Sequence, residues 1–206
     1  MKLKATLENI VKDNLIHAQW LNTLSFMENA GARKISASED KQKVSLIILK
    51  HAAEEHRHAY YLKKQIAKLG ENLCENYEDQ YLLAPKASKY YLNNLDVKVC
   101  KYLKNELNLK GTELKFAAYL LVTYAIEVRA DELYPIYQDI LSAQESKVTV
   151  KSIILEEEGH LEEMLHQLKS FSPEWEKYAE IAVDLEKELF KQWMLGLEEE
   201  VVQLVD

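Results

Sequence analysis

The stretches Glu54-Glu55-His56-Arg57-His58 and Glu156-Glu157-Glu158-Gly159-His160 each contain a Glu-x-x-His, and they stand 102 residues apart. A further acid precedes each within an apolar stretch: Glu28 lies 27 residues before Glu55, and Glu127 lies 30 before Glu157. Residues three apart on a helix share a face, so Glu55 and His58 point one way, as do Glu157 and His160. Each pair presents one oxygen and one nitrogen donor. Four ionised glutamates and two neutral histidines balance the charge of two divalent ions. Spread over four helices, they form the ligand set of a carboxylate-bridged metal pair. Mixed carboxylate and imidazole donors suit iron or manganese. Without metal, four carboxylates in one core are costly, and most would have to be protonated.

A single Glu-x-x-His is common on helices, but here both copies fall on the apolar stripe of their own helix. Glu28 is the only acid between Asp13 and Glu39. Glu127 follows Phe116-Ala-Ala-Tyr-Leu-Leu-Val-Thr-Tyr-Ala-Ile126, where a solvated face is hard to find. The competing reading is a set of buried salt bridges involving Arg57 or Arg129. Glu54, Glu156, Glu158, Glu162 and Glu163 read as a solvated face, and His56 as exposed. His51, one turn before Glu55, is either a cavity residue behind the ligands or a core histidine bonded to backbone. Asp131, one turn after Glu127, is placed to hold the outer nitrogen of His58 or His160, as bound histidines require. Tyr124, one turn before Glu127, either lines the site or packs the core. His17, about three turns from Glu28, is too far to be a ligand.

Helices must position these groups. Periodicity predicts a first helix from about Thr6 to Arg33. Ser36-Ala-Ser-Glu39 has the form of a capping box opening a second, which carries Val44, Ile48, His51, Glu55, His58, Leu62 and Ile66 on one stripe and ends at Gly70. The segment from Glu71 to Lys110 is less regular, holds Pro85, and contains a shorter helix over Ser88 to Leu107. A third long helix follows Gly111-Thr112 to about Leu141, kinked at Pro135. A fourth runs from near Ser146 to Leu168, and Ser172-Pro173 opens a fifth. The order is two hairpins joined by a long connection. The two ligand sets, offset by 99 and 102 residues, look like a weak internal duplication.

With 5 Gly and 3 Pro in 206 residues, and much Leu, Lys, Glu and Ala, the chain reads as all-α. One domain over 1–206 is expected, with the metal-bearing bundle at 6–168 and a C-terminal helix at 173–203. A net charge of -8 argues against nucleic acid. The longest apolar run is too short to span a bilayer, and no signal-peptide pattern opens the chain. Cys74 and Cys100 lack Cys-x-x-Cys spacing and read as reduced thiols of a cytoplasmic protein.

With Glu28, Glu55, His58, Glu127, Glu157 and His160 filling a Glu, Glu-x-x-His, Glu, Glu-x-x-His pattern, the chain resembles the ferritin-like di-iron carboxylate superfamily over roughly residues 6 to 168. Bacterioferritin, rubrerythrin and aldehyde-deformylating oxygenase belong to it. The resemblance implies a ferritin-like four-helix bundle with a long crossover between helices two and three, here with an extra C-terminal helix. It implies two iron ions (or manganese, or a mixed Mn/Fe pair) that activate dioxygen or peroxide. The first functional expectation is an oxidase or oxygenase acting on a small, apolar substrate, with an external electron donor. The alternatives are a ferroxidase or peroxide scavenger, and a structural metal-binding bundle. The paired cysteines of a rubredoxin domain are missing. The connection and the fifth helix are mass that iron storage does not need. The spacings of 27 and 30 come closer to those of an aldehyde-deformylating oxygenase than to a bacterioferritin. A monomer or homodimer is expected, with an apolar cavity reaching the metals and walled partly by the connection.

Overall fold

Asp13 divides the first helical stretch in two. Its carboxylate accepts from the backbone N–H groups of Leu15 and Ile16 at 2.8 and 2.9 Å, an N-cap that ends α1 (Lys2–Lys12) and opens α2 (Asn14–Ser38). The capping box expected over Ser36–Glu39 does not form. The Ser36 and Ser38 hydroxyls instead donate backwards to the carbonyls of Ala32 and Ile35 within the last turns of α2. The Glu39 carboxylate accepts from the backbone N–H of Ser45 at 3.0 Å, so α3 (Leu46–Ile66) starts later than expected. Val44, placed on its inner stripe by periodicity, precedes the helix and is exposed.

The computed structural model describes residues 2–40 and 42–205, and among them every regular element is helical. A 3-10 turn (Asp79–Tyr81) is followed by α4 (Pro85–Leu107), which begins three residues before the expected Ser88 because Pro85 suits a first helical position. Then come α5 (Gly111–Ala143), α6 (Lys151–Phe171) and α7 (Trp175–Val205). Pro135 lies inside α5 without ending it. Ser146, the expected start of α6, stays in the loop, where its hydroxyl accepts from Val148 N–H.

Paired contacts fix the directions. Asn14 donates to the Leu69 carbonyl and Ser25 to that of Ala59, so α2 and α3 run antiparallel. Tyr119 meets Met164 while Gln138 accepts from Val150 N–H, so α5 and α6 do too. Across a wider gap, Arg57 meets Glu156 and Tyr61 reaches the Thr149 carbonyl, setting α3 antiparallel to α6. α3 and α5 therefore run the same way, and the chain between them must return along the molecule. Asn22 holds that return segment by donating to the carbonyls of Asn76 and Tyr81, both at 2.8 Å.

A single cluster of buried apolar side chains draws on all seven α-helices. α7 packs on α1, α4, α5 and α6, burying Phe190, Trp193 and Leu197. Trp193 stacks between Trp20 and Tyr91, with ring centroids 5.6 and 5.1 Å away. Its indole donates to the Ser88 hydroxyl at 2.8 Å. α7 approaches α4 so closely that a Cβ at Gly196 would stand 2.7 Å from the Ala87 Cβ. Neither atom can swing away, so Gly196→Ala is expected to destabilise the fold by about 1–3 kcal/mol despite the better helix propensity of alanine, as a denaturant titration would read.

Candidate metal centre

The six sequence-derived ligands converge. Donor atoms of Glu55, Glu127, Glu157 and His160 lie within 4.8 Å of one another, and so do those of Glu28, Glu55 and His58. Glu55 belongs to both groups. Glu157 approaches both histidines, with its oxygens 3.1 Å from His58 Nδ1 and 3.3 Å from His160 Nδ1. Five of the six side chains are buried, and Glu28 is half-buried. Glu28 comes from α2, Glu55 and His58 from α3, Glu127 from α5, Glu157 and His160 from α6.

In the metal-free chain this crowding reshapes every proton affinity. Burial, then Glu28, holds Glu55 well above the usual carboxylate range, and burial with Glu157 does the same to Glu127. Glu157 is driven the other way: burial raises it, but Glu127, His160 and His58 close beside it outweigh that and hold it low. Burial would lower both histidines, yet the surrounding carboxylates carry His58 up to about 9 and His160 up to about 11. Two atoms aimed into the cluster stay unsatisfied: His58 Nδ1, poorly aligned with Glu157, and Glu127 Oε2 are buried without a hydrogen-bond partner. Buried donors and acceptors are rarely left so. A cation in each donor group would satisfy one of these atoms, and the donor set fits iron or manganese.

The outer nitrogens of the histidines are held crosswise. Glu54 of α3 accepts from His160 Nε2 of α6 at 2.7 Å, and Glu156 of α6 meets His58 Nε2 of α3 at 2.8 Å. Arg57 joins the two carboxylates, 2.7 Å from Glu156 and 3.5 Å from Glu54. This corrects two expectations. Glu54 and Glu156 do not form a solvated face, and Asp131, expected to hold a histidine, is exposed. Glu162 and His56 are exposed as expected, while the Glu158 side chain lies outside the described residues. Glu163 is half-buried, and His51 bridges from it (3.0 Å) to the Tyr119 hydroxyl (2.8 Å), so His51 stands behind the ligands bonded to side chains, not backbone. Glu54→Ala or Glu156→Ala frees the ring of one candidate ligand histidine. Each is expected to weaken metal affinity about tenfold to a hundredfold, measured by cobalt(II) titration, with helicity unchanged.

Of its two readings, Tyr124 takes the second, packing against the core. It faces Trp175 and Val183 of α7, across a separate pocket. The tyrosine that reaches the cluster is Tyr134, buried, donating its hydroxyl to Glu28. It stands seven residues after Glu127, a spacing that returns to the same helix face. His17, set aside by distance, is buried against the Tyr137 hydroxyl at 2.5 Å, and burial lowers it to about 4.

Beside the cluster a cavity of about 570 Å³ runs between α2, α4 and α5. Glu28, Glu55 and Glu127 open onto it, and its other walls are largely apolar, including Leu24, Met27, Val122, Ile126, Leu133 and Trp193. Its α4 wall belongs to the connection between α3 and α5. Arg129 and Tyr91, also in the wall, converge on the buried Glu186 of α7, Arg129 through two nitrogens at 3.0 and 2.8 Å. That pairing fastens α7 to α5 and uses up the arginine, so it is not a partner for the ligand carboxylates.

Comparison with known protein families, curated proteins and solved structures returns no match.

Proposed function

We propose that this chain is a ferritin-like di-iron oxidase or oxygenase, its four ligand-bearing helices α2, α3, α5 and α6 forming a bundle with α4 in the long crossover. The observation that carries this reading is the pair of overlapping donor groups sharing Glu55, with His58 Nδ1 and Glu127 Oε2 buried and unsatisfied. Glu28 and His58 would hold one ion, Glu127 and His160 the other, with Glu55 and Glu157 shared. Bound there, a metal pair supplies the redox chemistry that reduces dioxygen or peroxide, drawing electrons from an external donor.

The chain's own residues do the rest. Glu54 and Glu156 fix the ring orientation of the histidines and leave Nδ1 of each facing inward. Tyr134 orients the Glu28 carboxylate. The apolar walls exclude water from the face where Glu28, Glu55 and Glu127 meet the cavity, which strengthens every charge interaction there. That cavity supports oxidation of an organic substrate over iron storage or peroxide removal, because neither iron nor peroxide needs an apolar chamber of this size. α7 covers apolar surface within the chain, which supports a monomer or homodimer. Among the described residues no helix is long and apolar enough to cross a membrane.

The test is anaerobic titration with iron(II) followed by exposure to oxygen. Two ions per chain and oxygen uptake with a reductant are expected. Binding of two ions without oxygen uptake would favour a structural metal site, and a failure to bind would remove the reading altogether.

A further inference from the structure

α3 packs on α2, and α6 on α5 and α7, but among the described residues no element packs closely on both. Their common outer side is unusually apolar for open surface. Leu46 and Leu155, 85 and 72 % exposed, are the most exposed large apolar side chains among the described residues, and Tyr60 is 64 % exposed. Leu46, Ala53 and Tyr60 recur every seven residues on α3, about a quarter-turn from the Glu54 side that meets α6. Leu155, Gly159 and Glu162 form the matching stripe on α6, about a quarter-turn from Glu156. Patches of this kind on a helix pair mark a contact surface.

The contacts across the gap set the register: His51 meets Glu163, Glu54 meets His160, and His58 meets Glu156. Ala53 then lies within about 3 Å of the level of Gly159, and Tyr60 within about 2 Å of that of Leu155. Glycine weakens a helix interior, and nothing in this chain requires it at 159: a Cβ there would meet nothing within 4 Å. Charge divides between the two helices. The outward charges of α3 are Lys50, Arg57 and Lys64, and those of α6 are Glu156, Glu162 and Glu163. Two ion pairs, Lys50 with Glu163 and Arg57 with Glu156, cross the gap and stay partly exposed.

We infer that a second copy of this chain docks on this face, related by a two-fold axis that runs along the gap between α3 and α6. Such an axis keeps every level and exchanges the two sides, so α3 of each copy lies on α6 of the other. Both cross-gap ion pairs then meet the same pair inverted, cation over anion. The other two-fold open to the face, across the helices, lays basic α3 on itself. Ala53 of each copy falls on Gly159 of the other, where small residues let the backbones approach, and Tyr60 falls on Leu155. The two helices, of 21 residues each, make a face about 31 Å long and about 20 Å wide. Its ridged accessible surface is of the order of the ~800 Å² per partner that stable interfaces bury. Docking also covers Glu54, Arg57 and Glu156, which hold the outer nitrogens of His58 and His160 and are partly open to water in a single chain. That this shields a metal centre rests on the metal-pair reading, whereas the interface itself does not.

Analytical ultracentrifugation of the metal-free full chain over a wide range of concentration tests this. A particle of twice the 24.0 kDa chain mass is expected. Leu155→Arg sets a cation against the basic α3 of the other copy, and its exposure leaves the single chain intact. It should raise the dissociation constant on the order of a hundredfold with helicity unchanged. Leu15→Arg, equally a change at an exposed apolar residue but on α2, should leave the dissociation constant as it was. Cross-linking reads the axis. A mixture of Ala53→Cys and Gly159→Cys chains should be joined by a short bismaleimide, above the background set by the unaltered chain with its half-buried Cys100. Ala53→Cys chains alone should not be joined above it. A particle of 24.0 kDa at every concentration, or a dimer indifferent to Leu155→Arg, would overturn the inference. So would a single chain that floats with vesicles of phosphatidylcholine and phosphatidylglycerol, which would give the face to a membrane. Joining of Ala53→Cys to itself would overturn the axis. Cobalt(II) titration in parallel separates the two readings. A dimer that binds no cobalt(II) sustains the interface and removes the metal pair, and a monomer that binds it does the reverse.

Discussion

Glu157→Gln and Glu55→Gln are each expected to abolish two-ion binding and oxygen uptake, yet to differ widely in what they cost the metal-free protein in stability. Each residue lies where both ions would meet, so its loss impairs both. The apolar core contributed by all seven α-helices remains, and the fold should survive. The difference lies in the charge each carries without metal. Glu55 is held well above the usual carboxylate range by burial and by Glu28. That shift favours its neutral form, which an amide mimics, so the replacement costs little among crowded acids. Glu157 is held low and faces both histidines at 3.1 and 3.3 Å. Its replacement strips two buried cations of their counter-charge, at a cost of about 3–5 kcal/mol. Calorimetric unfolding without metal, set beside cobalt(II) stoichiometry, reads both effects. Two ions retained in either variant would contradict the shared-ligand assignment.

The clustering of these six side chains was legible because a repeated Glu-x-x-His and two isolated acids leave little freedom. What surrounds them was harder to read, for reasons of helix geometry. Relative to Glu127, Asp131 is turned by about 40° and Tyr124 by about 60° in the same sense, whereas Tyr134 is turned by about 20° in the other. One turn along the helix therefore leads to solvent and to α7, and two turns lead back to the ligands. Glu54 and Glu156 look solvated in sequence because each sits one position off its own inner stripe. That flank faces the opposite helix across the gap between α3 and α6, a neighbour that periodicity within one helix cannot reveal. The available signal was the register itself: the two copies share Glu-Glu-x-x-His, and the first glutamate of each holds the histidine of the other. The repeated motif is thus expressed as a crossed pair of braces. Helix boundaries failed where a side chain had two uses. Asp13 caps from within a periodic run, and Ser36 and Ser38 bond backwards and so prolong the helix they were expected to precede.

The metal-free and metal-loaded proteins are expected to answer pH with opposite signs. Without metal, His58 is carried up to about 9 and His160 up to about 11 by the carboxylates around them. Folded values above the unfolded one mean that the native state holds more protons. Their stabilisation is full below the unfolded histidine value and is lost as pH rises through about 9 and then about 11. Glu55 and Glu127, raised well above the usual range, act in the same direction from the carboxylate range upward. His17, lowered to about 4 by burial, opposes them only near and below its unfolded value, so the window from about pH 7 to about pH 9 isolates the cluster. There the metal-free protein should lose on the order of 2 kcal/mol per histidine, a large share of the 5–15 kcal/mol typical of a domain. Metal loading demands the reverse, because a ligand must give up its proton before it binds. Affinity for cobalt(II) should climb over the same window, and loading at pH 7 should release protons from His58 and His160, held up to about 9 and about 11. Calorimetry in buffers of different ionisation enthalpy counts those protons directly. A metal-free midpoint that rises from pH 7 to pH 9, or loading that releases none, would show that these carboxylates and imidazoles do not share the crowded core described here.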